Sequence, residues 1–304
     1  LRRDIEFNAE GVTLRGWFYY PEGARGPVPT VVMAHGFSAV KEMFLDDYAQ
    51  VFCDGGLGVL VFDHRNFGAS DGHPRQEIDP WAQMRDYRHA ITFARTLPEV
   101  DGQRIGVWGS SYSGGHAIVV GALDRRVRCV VSQVPLISGY RNRQRLVRAD
   151  LAAQAEPLFE ADRQARLRGE PPATIPVVAQ DPFATPCALP TQDSYEWFTE
   201  AAKRAPSWRN EVTIRSLEML LEYEPGLFVD RVSPTPLLMI VAAYDHLAVA
   251  DLALEAYNRA LEPKKLLLVP GGHFDVYGKF FRETSEAARD WFRLHLLGQG
   301  RVVS

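Results

Sequence analysis

The richest chemistry in the sequence lies in residues 104–115, RIGVWGSSYSGG. Arg104–Trp108 reads as a strand, and the small residues from Gly109 to Gly115 lead into a helix predicted over 112–123. A strand that turns this sharply into a helix can push one side chain out at the sheet edge. It does so when the residues two before and two after that side chain are small. Gly109 and Ser113 meet that condition around Ser111, with serine standing where a second glycine is usual. Shifting the register by two would instead expose Ser113. A Gly/Ser-rich helix start also occurs at phosphate-binding turns, but neither GxGxxG nor GxxxxGK[ST] is present.

A serine hydroxyl is a weak nucleophile. It needs a base, and the base needs an acid to orient it. In strand–turn–helix sites the chain order is serine, acid, histidine. Of the eight histidines, only His273 and His295 follow the late apolar run 265–269, KLLLV. His295 falls inside a predicted terminal helix, which leaves His273, after Gly271-Gly272, as the base. Asp245 lies four residues past the strand 237–241 and is the expected acid. Asp251 falls in the next helix, where a carboxylate near the N-terminus has a plain electrostatic role. Asp275 follows His273 too closely to orient it from the side. Acyl transfer also needs backbone N–H groups aimed at the developing oxyanion. The amides of Tyr112 and of Phe37, in the loop His35-Gly36-Phe37-Ser38, are the expected donors. His35 itself is expected to hydrogen-bond within that loop.

These residues must be held by a scaffold, and the rest of the chain reads as one. An antiparallel hairpin is predicted over 5–20. Strands at 30–34, 59–63, 104–108 and 127–132 then alternate with helices at 43–53, 80–97 and 112–123. The alternation stops near Pro135 and resumes near Pro234 with a strand at 237–241, a helix at 248–261, a strand at 265–269 and a helix at 280–297. Such alternation means a mostly parallel sheet with helices on both faces. The interruption of about 100 residues is too long for a plain loop. It is predicted helical over 141–168, 193–204 and 208–223, and irregular over 171–190, which carries six prolines. The expected organisation is a core in two parts, 1–134 and 235–304, with a helical cap inserted at 135–234. Ligands in such sheets bind beyond the carboxyl ends of the strands.

His35-Gly36, then Asp63-His64-Arg65-Asn66-Phe67-Gly68-Ala69-Ser70-Asp71-Gly72, the turn around Ser111, Asp245 and His273 occur in the order of the α/β-hydrolase superfamily, and the chain resembles it on both sides of the inserted segment. The second motif is similar to the family's D-x-R-G-x-G-x-S-x-G, with Asn66, which tolerates a left-handed turn, for the first glycine. GSSYSGG and GGHFDVY look most like the branch of dienelactone hydrolases, Xaa-Pro peptidase-like acyl hydrolases and polyketide-transferase-like proteins. The resemblance implies a serine hydrolase or acyltransferase acting on a small to medium ester, thioester or amide. It implies no cofactor and no metal. Cleavage of C–C or C–halogen bonds is a weaker rival, the latter because it usually needs aspartate at the turn. A ligand-binding protein on this fold is the non-enzymatic alternative.

The inserted segment supplies many aromatics, and Tyr140, Trp197 and Trp208, with Trp81 and Tyr277 outside it, are candidates for the substrate pocket; cap aromatics also serve as the cap's own core. Arg141, Arg143, Arg145 and Arg148 could meet an anionic group, although nearby carboxylates make a solvated helix face the simpler reading. The composition of the 304 residues, 46% hydrophobic and 24% charged with net charge −4, is that of a globular protein with a sizeable core and no basic face for nucleic acid. Cys53, Cys129 and Cys187 form no CxxC and read as reduced thiols. There is no apolar run long enough to span a membrane and no secretory signal, so the cytoplasm is the expected compartment, although the start at Leu1 leaves an earlier leader open. Self-association is left open.

Overall fold

The computed structural model describes residues 1–153 and 155–298. Strands β1 (Arg2–Ala9) and β2 (Val12–Tyr19) form the expected hairpin, closed by Glu10 and Gly11 at φ 56° and 86°. Positive φ at both turn residues matches the twist of the flanking strands. The chain continues through β3 (Val28–Ala34), α1 (Leu45–Asp54), β4 (Gly58–Phe62), α2 (Pro80–Ala94), β5 (Val100–Ser110), α3 (Tyr112–Leu123) and β6 (Val127–Gln133). Residues 135–234 then supply short helices α4 (Gly139–Leu146), α5 (Ala149–Ala153), α6 (Ala155–Leu167), α7 (Gln192–Ala201) and α8 (Ile214–Leu221). They also carry a two-residue antiparallel ribbon of β7 (Thr174–Ile175) and β8 (Val212–Thr213). The core resumes with β9 (Leu237–Ala242), α9 (Ala250–Arg259), β10 (Lys264–Val269) and α10 (Phe281–Phe292). Residues 299–304 of its expected second part lie outside the described residues.

Eight strands form one sheet in the order β1-β2-β4-β3-β5-β6-β9-β10, parallel from β4 to β10. Side chains alternate between two apolar layers, as the two-residue strand period requires. Val31 and Met33 face Trp108, Ile240, and the α1 and α10 residues Phe52 and Phe292. Val32 and Ala34 face the other layer with Leu60, Val107 and residues of α2, α3 and α9. Burial on both faces explains why these strands read as unbroken apolar runs. From β3 the chain steps to β4 on one side, then returns to β5 on the other. The loops after β3 and β5 therefore part at this point and leave a crevice above the strand ends.

Local signals set most element boundaries. Asp79 accepts from the Ala82 amide and Pro80 follows it, so α2 starts where expected. Two boundaries differ most from the sequence reading. The helix expected over 208–223 begins only at Ile214, because Thr213 caps it through the Ser216 amide at 3.3 Å while Val212 and Thr213 pair with β7. That pairing also puts a strand inside the proline-rich stretch. The terminal helix is α-helical only to Phe292 and continues as a π turn, Arg293–Leu297, before Gly298 at φ 67° ends it.

Candidate active site

The turn between β5 and α3 carries Ser111 at φ 60°, ψ −120°, a conformation that costs a non-glycine residue about 1–3 kcal/mol. The surroundings over-determine it. The Ser111 amide donates to Gln133 O at 2.8 Å. Its carbonyl accepts from the amides of Gly114, Leu136 and Gly115 at 2.9, 3.0 and 3.3 Å. The two small residues are needed because the turn folds back on itself: a Cβ on Gly109 would sit 1.9 Å from Ser113 O. Glycine at the second place is not needed, since Ser113 turns its hydroxyl into the protein interior.

The strained serine meets the two other residues read from the sequence. Ser111 Oγ donates to His273 Nε2 at 2.9 Å, and His273 Nδ1–H donates to Asp245 Oδ2 at 2.7 Å. Asp245 is held in turn by the amides of Leu247 and Ala248, both on Oδ1, at 2.9 and 2.8 Å. His273 and Asp245 are buried, so their pairing is little screened. Asp251 points instead to Arg145, and Asp275 accepts from the Gly272 amide. Gly36 passes close to the serine: a Cβ there would lie 3.0 Å from Ser111 Cβ. Among the described residues, neither the Phe37 nor the Tyr112 amide is given to a protein acceptor.

The 63–72 motif fixes the loop after β3. Asp63 accepts from the Lys41 amide at 2.7 Å and from Lys41 Nζ at 2.8 Å, both buried, and from the Ala69 amide at 2.9 Å, partly buried. Removing one partner of such a pair typically destabilises by about 3–5 kcal/mol. Asn66 takes the left-handed conformation at φ 72° that its position requires, and its amide side chain donates to Glu77 O.

Beneath the serine lie three buried histidines. The His64 amide donates to His35 Nε2 at 3.1 Å, so the His35 proton is on Nδ1, where it meets Gly36 O at 3.0 Å. Ser113 Oγ donates to His35 O and accepts from His64 Nε2–H at 3.0 Å. His116 accepts from Tyr223 at 2.7 Å and donates to Gln83 at 2.9 Å. Burial holds all three neutral, lowering His35, pushing His64 well below the usual range and His116 to about 3. The unfolded chain takes up these protons near pH 6.5 while the folded chain refuses them. Their stabilising contribution is therefore complete above about pH 6.5 and is lost as pH falls towards 3. The urea midpoint should drop between about pH 7.5 and pH 5, with His116 alone contributing roughly 2 kcal/mol. His116→Gln keeps one donor and one acceptor and should shrink that drop. A midpoint unchanged by acid would contradict this.

A cavity of about 200 Å³ opens beside Ser111 and His273. Gly36, Phe37 and Tyr112 border it from the core, and Phe159, Leu189, Trp197, Phe198, Leu217 and Leu220 from the 135–234 segment. Of the five pocket candidates, Trp197 and Tyr277 line it. Tyr277 is anchored through its hydroxyl to Ser110 at 2.6 Å. Trp208 stands one layer back, stacked on Phe198 and donating to Ser38 O at 2.9 Å. Trp81 and Tyr140 do not reach the cavity and are 42% and 55% exposed. Trp81 packs edge-on against Tyr223 and Phe228 on the surface of α2. Two further cap aromatics, Phe159 and Phe198, line it as well; the sequence reading missed Phe274 and also Asn142, which fastens α4 to the loop that carries Asp245. Its amide group donates to Leu247 O at 2.7 Å and accepts from the Val249 amide at 3.1 Å.

A mostly parallel sheet flanked by helices, with the site at the strand-order reversal, defines an α/β-hydrolase enzyme. Residues 10–275 match the X-Pro dipeptidyl-peptidase (S15) family, and the chain belongs to that family. It is 35% identical to a thiohydrolase of Eupenicillium brefeldianum, over 100% of this chain and 97% of the relative. It is 32% identical to a polyketide transferase of Stachybotrys chlorohalonatus, over 90% of this chain and 90% of the relative. The crystal structure of an α/β hydrolase, GrgF, from Penicillium sp. sh18 superposes with a TM-score of 0.83 at 27% identity, covering 98% of this chain and 99% of that one. Among the described residues no helix is long and apolar enough to cross a membrane, and no cluster of side chains could hold a metal ion.

Proposed function

We propose that the protein is a serine hydrolase that cleaves apolar acyl thioesters or esters through an acyl-enzyme at Ser111. The observation that carries this is the continuous hydrogen-bonded chain from Asp245 through His273 to Ser111, ending at an apolar cavity. Ser111 Oγ attacks the acyl carbonyl as His273 Nε2 takes its proton, and Asp245 stabilises the imidazolium. The amides of Phe37 and Tyr112 receive the oxyanion. His273 then protonates the leaving thiol or alcohol. Water, deprotonated by the same imidazole, releases the acid and restores Ser111. Residues 135–234 act as a cap that shields the acyl chain. Relatives named thiohydrolase and polyketide transferase favour a thioester as the acyl donor. Free cysteines at 53, 129 and 187 suit a reducing compartment such as the cytoplasm.

A second reading, transfer of the acyl group to an alcohol or amine, is favoured by the apolar lining, which disfavours water near the acyl-enzyme. Intact-mass labelling with a fluorophosphonate should give one adduct, absent from Ser111→Ala and His273→Ala. Product analysis of an acyl thioester, with and without a competing alcohol, then separates the two outcomes. Free acid as the sole product supports hydrolysis. Ester accumulating at the expense of acid supports transfer, and no adduct on the folded chain would remove both readings.

A further inference from the structure

Four arginines stand close together at residues 141–148, and the structure separates them. Arg141 makes a two-point ion pair with Glu255 at 2.7 and 2.8 Å. Arg145 pairs with Asp251 at 2.8 Å and Arg148 with Asp150 at 2.8 Å. All three of these pairs are on the surface. Arg143 differs. On α4 it is rotated by about 200° from Arg141, whereas Arg145 returns to the Arg141 face. Its side chain is mostly buried and borders the same cavity as Ser111. Among the described residues its guanidinium has one close partner, Ala152 O at 2.5 Å, and the nearest carboxylate, Glu156, is 3.9 Å away.

Among the described residues, Arg143 is thus the one permanently charged side chain on a wall built mainly from apolar groups such as Leu146, Leu217 and Leu220. A guanidinium has five N–H donors in a fork that matches a carboxylate. Leaving most of them without a partner against an apolar cavity is unfavourable, and a ligand anion there would be little screened by water. Ser111 lies on the core wall and Arg143 on the wall contributed by residues 135–234. A molecule that spans the cavity can therefore meet both.

The geometry points to a substrate whose acyl chain carries a carboxylate remote from the scissile carbonyl, with Arg143 as the residue that selects it. This rests on the acyl-enzyme reading above. The chain between the two groups is apolar, as the lining requires.

The test compares N-acetylcysteamine thioesters of increasing chain length in matched pairs, one ending in methyl and the other in carboxylate. At the best length the native protein should favour the carboxylate by roughly 10- to 100-fold in kcat/KM. Arg143→Met should abolish that preference, Arg143→Lys should restore part of it, and Arg145→Met should leave it intact. Binding of the same pairs to Ser111→Ala by calorimetry provides a readout that needs no turnover. Tighter binding of the carboxylate form, lost with Arg143→Met, supports the inference even if no thioester is hydrolysed; the catalytic reading alone would then fall. Turnover without any preference for the carboxylate, or a preference unaltered by both Arg143 variants, overturns the inference and leaves the catalytic reading standing. If Arg143→Met does not fold, Arg143→Lys and the native-protein preference still decide it.

Discussion

Ser111→Ala should lower kcat for thioester hydrolysis by roughly 10⁵-fold while leaving substrate binding in place. The substitution removes one oxygen, and alanine tolerates φ 60° about as well as serine does, so the turn and its backbone hydrogen bonds persist. Combining it with His273→Ala should cost little more, because the two groups act on one proton and their losses do not add. Ser113→Ala is the informative contrast. Its hydroxyl is spent on His35 and His64, so it should lower stability and leave the fluorophosphonate adduct intact. Thiol-release kinetics and intact mass check both. If Ser111→Ala kept more than about a tenth of the activity, or if Ser113→Ala abolished the adduct, the assignment of the nucleophile would be wrong.

Gly109→Ala is the second large effect, and it acts through the backbone. The added Cβ would lie 1.9 Å from Ser113 O, 2.4 Å from Ser113 C and 3.0 Å from Gly114 N. None of these atoms can swing aside as a flexible side chain would. The start of α3 must move, and Ser111 moves with it. We expect a loss of about 3 kcal/mol or more in urea unfolding, together with loss of labelling at Ser111. Gly102→Ala, on the same strand, where the added Cβ would meet only the flexible Arg95 side chain at 3.1–3.5 Å, is the control. A Gly109→Ala protein within about 1 kcal/mol of the native chain, and labelled at the native rate, would show that the turn does not depend on that contact.

The turn around Ser111 was legible because its geometry restricts residue size at fixed spacing. The core strands were legible because burial on both faces leaves them few polar positions. His273 followed from chain order. The cavity wall was harder to read. Tyr140 and Phe159 are both aromatic residues on short helices, yet one faces solvent and the other the cavity. Composition names such residues without saying which way each helix is rolled. The roll of α4 did have a signal. The 141/145 pair marks one face and 143 the other, but that distinction matters only once the surface carboxylates Glu255 and Asp251 are known to lie beside the first. The start of α8 at Ile214 depended on the ribbon with β7, a pairing across more than thirty residues that no local pattern encodes.

Asn142 ties the roof of the cavity to the loop that holds Asp245, the proposed acid. Its two hydrogen bonds reach Leu247 and Val249, and the amides of Leu247 and Ala248 hold Asp245. Lifting α4 from the core must either break both bonds or drag that loop along, so opening the roof on this side and keeping the imidazole aligned are not independent motions. The same linkage sets a rule for building chimaeras. Residues 135–234 exchanged for those of a relative should travel with a matched pair, position 142 and the 247–249 loop, because a new roof that lacks this tether would arrive over a weakened acid.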